Sequence, residues 1–315
     1  MTWTASVLFF LCSLVNLLGQ AWPKKVSPPA GVDEFSVVAG AGSFIYQTKS
    51  FEIVTFKKHD HTLMTDFTRC LESVPVALKA IPVPLYAVPE DKRGQLLLTA
   101  NEDDYLRAGG AKNTAGFYDG AKNRIIINWV HFKNNTAQTR VLQDPAFDLI
   151  VHELTHLSMH ELMWKCDPWL AEGIAEYMAA SHLNRGNFSF EKIDQAIRTR
   201  VVKHTKPGVN GSTVLGIKNL ISLSSRGWLE RTANVDAWEA LKAYNSALLL
   251  AHYCFHGGAT RLETTRKHFE LLHDNKTMRD SIPRLLSVND AQEIEKALSG
   301  YWKKRGLKLI FDHKE

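Results

Sequence analysis

His152-Glu153-Leu154-Thr155-His156 sets two imidazoles four residues apart, with a carboxylate beside the first. On a helix, positions four apart differ by about 40° around the axis and about 6 Å along it, so both rings can face one point and share a metal ion. Glu153 is then placed to reach a water on that ion and to act as its base. With 13 histidines in the chain, a shuffled sequence would contain the pattern with a probability of roughly 0.03, so context must carry part of the weight. Phe147, Ile150, Leu154 and Leu157 recur around it at helical spacing, which puts the motif on an amphipathic helix rather than in a loop.

A catalytic zinc ion needs a third protein ligand and an open fourth position. His160 lies two helical turns, about 12 Å, from His152, a span that a metal about 2 Å from each nitrogen does not bridge on a continuous helix. The third ligand must therefore come from a second helix. Trp169-Leu-Ala-Glu172-Gly173-Ile-Ala-Glu176-Tyr177 offers one, with Lys165 to Asp167 as the connection that lets the two helices fold back on each other. Gly173 costs helix stability but allows close approach of the other helix of the pair. Glu176, one turn after Glu172 on the same face, can accept the second ring N–H of a ligating histidine and fix its tautomer.

His-Glu-x-x-His followed by Trp-Leu-x-Glu-Gly-x-Ala-Glu-Tyr resembles the gluzincin metallopeptidases, the thermolysin-like clan that includes the aminopeptidase and leukotriene hydrolase branch and the bacterial collagenases. The resemblance covers the two helices firmly and the rest of the catalytic half loosely. It implies Zn2+ as cofactor, His152, His156 and Glu172 as its ligands, Glu153 as general base and Glu176 as the acceptor behind a ligating ring. It also implies a strand just upstream of the zinc helix whose edge pairs with substrate backbone, a place that Arg124 to Trp129 occupies. Tyr244-Asn-Ser-Ala-Leu-Leu-Leu-Ala-His-Tyr253 is similar to the aminopeptidase-branch helix whose first tyrosine stabilises the tetrahedral intermediate. Tyr244 is thus the implied oxyanion donor, with Tyr253 and His252 as further candidates. No Gly-x-Met-Glu-Asn segment is present to hold a free substrate amine, which favours endopeptidase or oligopeptidase over aminopeptidase activity.

The expected function is an exported zinc peptidase acting on peptides or proteins. Two alternatives are a zincin-like binding protein without turnover and a zinc hydrolase acting on non-peptide bonds. Glu153 weighs against the first, because a purely structural zinc needs no base beside its first ligand and more often closes its fourth position.

The elements that must position these residues follow from pattern. The chain has 315 residues, 45% of them hydrophobic, enough for a packed core, and a net charge of +5 without a long basic run, which argues against a nucleic-acid partner. Val7 to Leu18 is an apolar run, and Gly19-Gln20-Ala21 has a small-x-small cleavage pattern, so 1–21 reads as a signal peptide of a secreted or periplasmic protein. No later stretch is long enough to span a membrane. Four cysteines without a C-x-x-C pair give little support for a thiolate metal site, and Cys70, Cys166 and Cys254 allow at most one bridge. A monomer is expected.

Residues 22–45 are rich in Pro, Gly, Ser and Ala and read as a lead-in linker. Phe51 to Phe56, Gln95 to Thr99 and Asn123 to Trp129 have strand character, and His61 to Ser73 is helical in spacing. Asp144-Pro145 and Asp167-Pro168 look like N-caps followed by proline at the first helical position. Further helices are expected over Phe190 to Val202, Asp236 to Phe255, Thr264 to Asp274 and Asp290 to Lys304. The expected fold is α+β and zincin-like: a catalytic subdomain at 46–185 with a small mixed sheet, an all-helical subdomain at 186–315, and the cleft between them. His59-x-His61 beside Lys57 and Lys58 reads as a solvated loop, Trp164 and Trp169 as core, and Asn134, Asn187, Asn210 and Asn275 head N-x-S/T sequons.

Overall fold

Alternating burial defines the first layer. In the computed structural model of this chain the described residues are 21–314, apart from 33, 41, 89–92, 113, 131–144, 207, 209, 234, 276–284 and 287–289. The apolar run of the expected signal peptide, Cys12, the sequon at Asn134 and the cap residue Asp144 lie outside them. Where a loose lead-in was expected, β1 (Lys25–Val26) and β2 (Ser36–Ala39) form, followed by β3 (Phe44–Gln47) and β4 (Phe51–Thr55). β4 buries every second residue, with Phe51 and Ile53 against the core.

Asp60 then caps α1 (His61–Ala80), its carboxylate accepting from the amides of Thr62 and Leu63. The helix outruns the expected His61 to Ser73: it carries Pro75 inside it, buried, and stops only where Ile81, extended, precedes Pro82. Next come β5 (Gly94–Thr99), α2 (Glu102–Arg107), β6 (Gly116–Asp119) and β7 (Arg124–Asn128). Six strands make one mixed sheet in the order β2-β3-β4-β5-β7-β6, with β4, β5 and β7 mutually parallel and both outer flanks antiparallel. Ile125, Ile126 and Ile127 on β7 are all fully buried, as befits an interior strand covered on both faces.

α3 (Pro145–Ser158) carries the histidine motif, a single turn α4 (His160–Met163) follows, and α5 (Pro168–Ser181) starts at its proline as expected. The Asp167 side chain does not make the expected cap bond, so the preset φ of Pro168 marks this start. β8 (His182–Asn184) and β9 (Asn187–Ser189) form a hairpin, extended by β1, whose turn at Arg185 and Gly186 has positive φ and straddles the expected subdomain boundary. α6 (Ile193–Lys203), β10 (Ser212–Leu215), α7 (Ile217–Ile221), α8 (Ser225–Ala233), α9 (Ala237–His256), α10 (Ala259–His273), α11 (Ala291–Lys303) and β11 (Leu309–Asp312) complete the chain.

The C-terminal part is therefore not all-helical. β10 and β11 pair in parallel, Ser212 opposite Leu309. Four-residue strands whose partners lie far away in sequence carry no periodic signal that a local pattern can reveal. α5 is sandwiched between α3 and α9, which sets the site at the meeting of the sheet edge and the helical layers. Cys70, Cys166 and Cys254 are all buried and unbridged. Among the described residues no helix is long and apolar enough to cross a membrane.

Candidate metal centre

Helix geometry delivers the first pair. His152 and His156 leave the same face of α3, and their Nε2 atoms stand 3.1 Å apart with the rings nearly perpendicular. α5 supplies the carboxylate: Glu172 Oε2 lies 3.2 Å from His152 Nε2 and 3.6 Å from His156 Nε2. Gly173 does not serve the approach of α3, as expected, but that of α9: a Cβ there would stand 2.4 Å from the Ala247 carbonyl oxygen. The three side chains form the group that could hold a metal ion among the described residues, and both imidazoles are buried.

The donor set fits a tetrahedral cation. Two ligand atoms each about 2.0–2.1 Å from a zinc ion, at the tetrahedral angle, lie about 3.3–3.4 Å apart, and the three observed separations bracket that value. Glu172 Oε2 is buried and close to both rings, yet no donor is aligned on it.

Charge around the trio is fixed by a second tier. Glu176 Oε1 lies 3.1 Å from His152 Nδ1, the far side of that ring, and its Oε2 accepts from Arg200 at 2.9 Å. Arg200 also reaches Asp148 at 3.4 Å, and Asp148 in turn meets the buried His182 at 3.2 Å. Burial alone would push the Glu176 carboxyl upward, but the guanidinium of Arg200 and the His152 ring hold it far below the ordinary carboxylate range. Glu172 is likewise pulled against its burial, to about 2, by the two imidazoles. His152, whose burial would lower its pKa, is held well above the usual value by the Glu172 and Glu176 carboxylates.

Glu153 points away from the trio's shared face toward the sheet. It is buried, and its pKa is raised chiefly by desolvation, against the lowering influence of the neighbouring His152 and His156. Gly116 admits it: a Cβ there would be 3.0 Å from Glu153 Cγ. This corrects the expected edge strand. Arg124 to Trp129 contains β7, which lies between β5 and β6, whereas β6 is the outer strand and faces α3. The reversal at Asp119 to Arg124 folds β6 over β7, a pairing order that strand propensity does not encode.

Tyr244 on α9 sits at the same cavity, of about 360 Å³, with Gly116, His152 and Glu153. Its ring centroid is 6.1 Å from that of His152, and Trp228 packs edge-on against it at 5.4 Å. The other two oxyanion candidates face elsewhere. Tyr253 packs edge-on against Tyr301 with Arg261 over its ring, and His252 is buried 2.9 Å from Asp194. His160 does not join the ligands; its Nδ1 is 2.6 Å from the Tyr118 hydroxyl. His59 and His61 diverge, to Thr55 and to Thr65 respectively. Trp169 is buried as expected, whereas Trp164 is 60% exposed.

Arg200, Asp148 and Tyr118 escaped the sequence analysis. Arg200 follows Glu176 by 24 positions and sits in an ordinary charged helix, so no spacing rule links the two. No family profile, curated protein or solved structure matches this chain.

Proposed function

We propose that this protein is a zinc-dependent peptidase in which His152, His156 and Glu172 hold the metal and Glu153 is the general base. The observation that carries this is the convergence of three buried donors at the spacing of tetrahedral ligands, with a fourth, desolvated carboxylate beside them. Zinc, when bound, would polarise the substrate carbonyl and lower the pKa of water to about 7.

Glu153 takes the proton of the attacking water and returns it to the leaving amine, a task suited to a carboxyl whose pKa is raised by burial. Gly116 on β6 leaves the room that the Glu153 side chain occupies. Glu176 accepts from the far nitrogen of His152, leaving Nε2 free to ligate, and Arg200 anchors Glu176. The Tyr244 hydroxyl, on the cavity wall, donates to the developing oxyanion, a contribution of about 3 kcal/mol where such donors have been removed. Among the described residues the outer edge of β6 pairs with no other strand, and it offers backbone pairing to an extended peptide, which favours a peptide over other hydrolysable substrates.

Assay of zinc-loaded wild type and Glu153→Gln on a mixed peptide library tests this. Cleavage by wild type only, with equal zinc in both, is the expected result. Equal zinc with no cleavage by either would leave a binding protein.

A further inference from the structure

β6 connects two cavities. Gly116, at its start, lies against Glu153 and lines the cavity beside the metal group. Gly120, just past its end, lines a second cavity of about 1180 Å³ at the opposite end of the strand. The turn before β4, the start of β5, the end of α1 and the β6–β7 turn bring Lys49, Lys79, Arg93 and Lys122 around this space, with Glu52 as the acidic residue among its lining.

All four cations are exposed. Among the described residues Lys49 and Arg93 make no ion pair, Lys79 lies 3.9 Å over the Tyr86 ring, and Lys122 is 3.6 Å from Asp119. Among the described residues the lining thus carries more positive than negative charge. His160 stands at the junction: it lines the basic cavity while bonding Tyr118, whose ring stacks on His156 with centroids 6.1 Å apart.

An extended chain rises about 3.3 Å per residue, so four residues cover about 13 Å, the length of β6 itself. A peptide paired along β6 with its reacting carbonyl at Glu153 therefore delivers its fourth or fifth residue from that point to the four cations. We propose that this cavity is a specificity site for an acidic segment of the substrate, a cluster of Asp or Glu about four residues to one side of the bond cut. The proposal rests on the peptidase reading and names the substrate class for that site. Carboxylates match the cavity in charge, and continuity with the strand edge selects a polypeptide over a free polyanion.

The test uses zinc-loaded full-length protein and quenched peptides that share one cleavable core. Each carries a triglutamate, triglutamine or trilysine run at one end or the other, about four residues from the cleavable bond. Wild type is expected to cleave one triglutamate isomer with kcat/KM about fivefold above its triglutamine counterpart, the scale of a few exposed ion pairs, and to disfavour trilysine at that end. The preference should shrink at 1 M salt. In Lys49→Glu/Arg93→Glu the ratio of triglutamate to triglutamine cleavage should fall to one or below. No preference at either end, equal preference at both ends, or a preference unchanged in the double variant would overturn the proposal. Absence of all cleavage would instead defeat the peptidase reading. The site is then judged by fluorescence anisotropy of the same peptides on Glu153→Gln: triglutamate-dependent binding lost on charge reversal retains it, and its absence rejects it.

Discussion

Glu153 and Glu172 show how position assigns roles to identical side chains. Glu172 faces two imidazoles, which draw its pKa to about 2 and keep it an anion fit to ligate. Glu153, on the sheet side of α3, is dominated by desolvation, which raises its pKa and makes it fit to exchange a proton. Replacing Glu153 with Gln should lower kcat by about 10²- to 10⁴-fold, as for a lost general base, with metal analysis unchanged. Glu176 has a different task, holding the far nitrogen of His152 at 3.1 Å. Glu176→Gln should weaken zinc binding by about 10- to 100-fold in a competition titration with a chromophoric chelator. Unchanged affinity would mean that the ring is oriented by packing alone.

At the scale of elements, the site depends on how closely α5 can approach α9. A methyl group at Gly173 would overlap the Ala247 carbonyl and press on Ala251, both on a helix that is buried along this face. Gly173→Val should therefore cost about 1–3 kcal/mol through overpacking, read as a lower denaturant midpoint, and should reduce zinc content as Glu172 is displaced. A midpoint equal to wild type would show that the crossing yields at no cost. The helix pair was legible in the sequence because its signals are local: an i, i+4 histidine pair, apolar residues at 3.6 spacing and prolines at the helix starts. The edge strand was not, since whether β6 or β7 is outermost depends on which strand finds β5 across a non-local pairing. β10 and β11, each four residues long and far apart in sequence, were invisible for the same reason. Arg200 joined the site only because α6 folds back over α5, and no spacing announces such a contact, whereas Asp148, four residues before His152 on α3, shares its helical face.

The whole molecule responds to acid through groups kept neutral inside it. Burial, and then the neighbouring His252, push His256 down to about 3, and burial also lowers His252. Below about pH 6.5 the unfolded chain takes up protons that these folded rings refuse, so their stabilisation is complete above that pH and is lost as pH falls toward 3. Asp312, bonded to Lys242, is lowered as well; its contribution is present above about pH 4 and is lost below it. For metal-free protein, the unfolding free energy should decline from pH 6.5 to 5. His256→Phe should flatten that slope by up to about 1.4 kcal/mol per pH unit, the value for one proton. Parallel slopes for the two proteins in urea titrations would contradict this origin.

Zinc stoichiometry reaches the centre of the account most directly, because base, oxyanion donor and substrate edge matter only around a bound ion. Wild type, His156→Ala and Glu172→Ala would be loaded with zinc, dialysed against a weak chelator and analysed for metal. Near one zinc per wild-type chain, with little in either variant, is the expected result. No retained zinc in wild type, or equal zinc in all three, would contradict it.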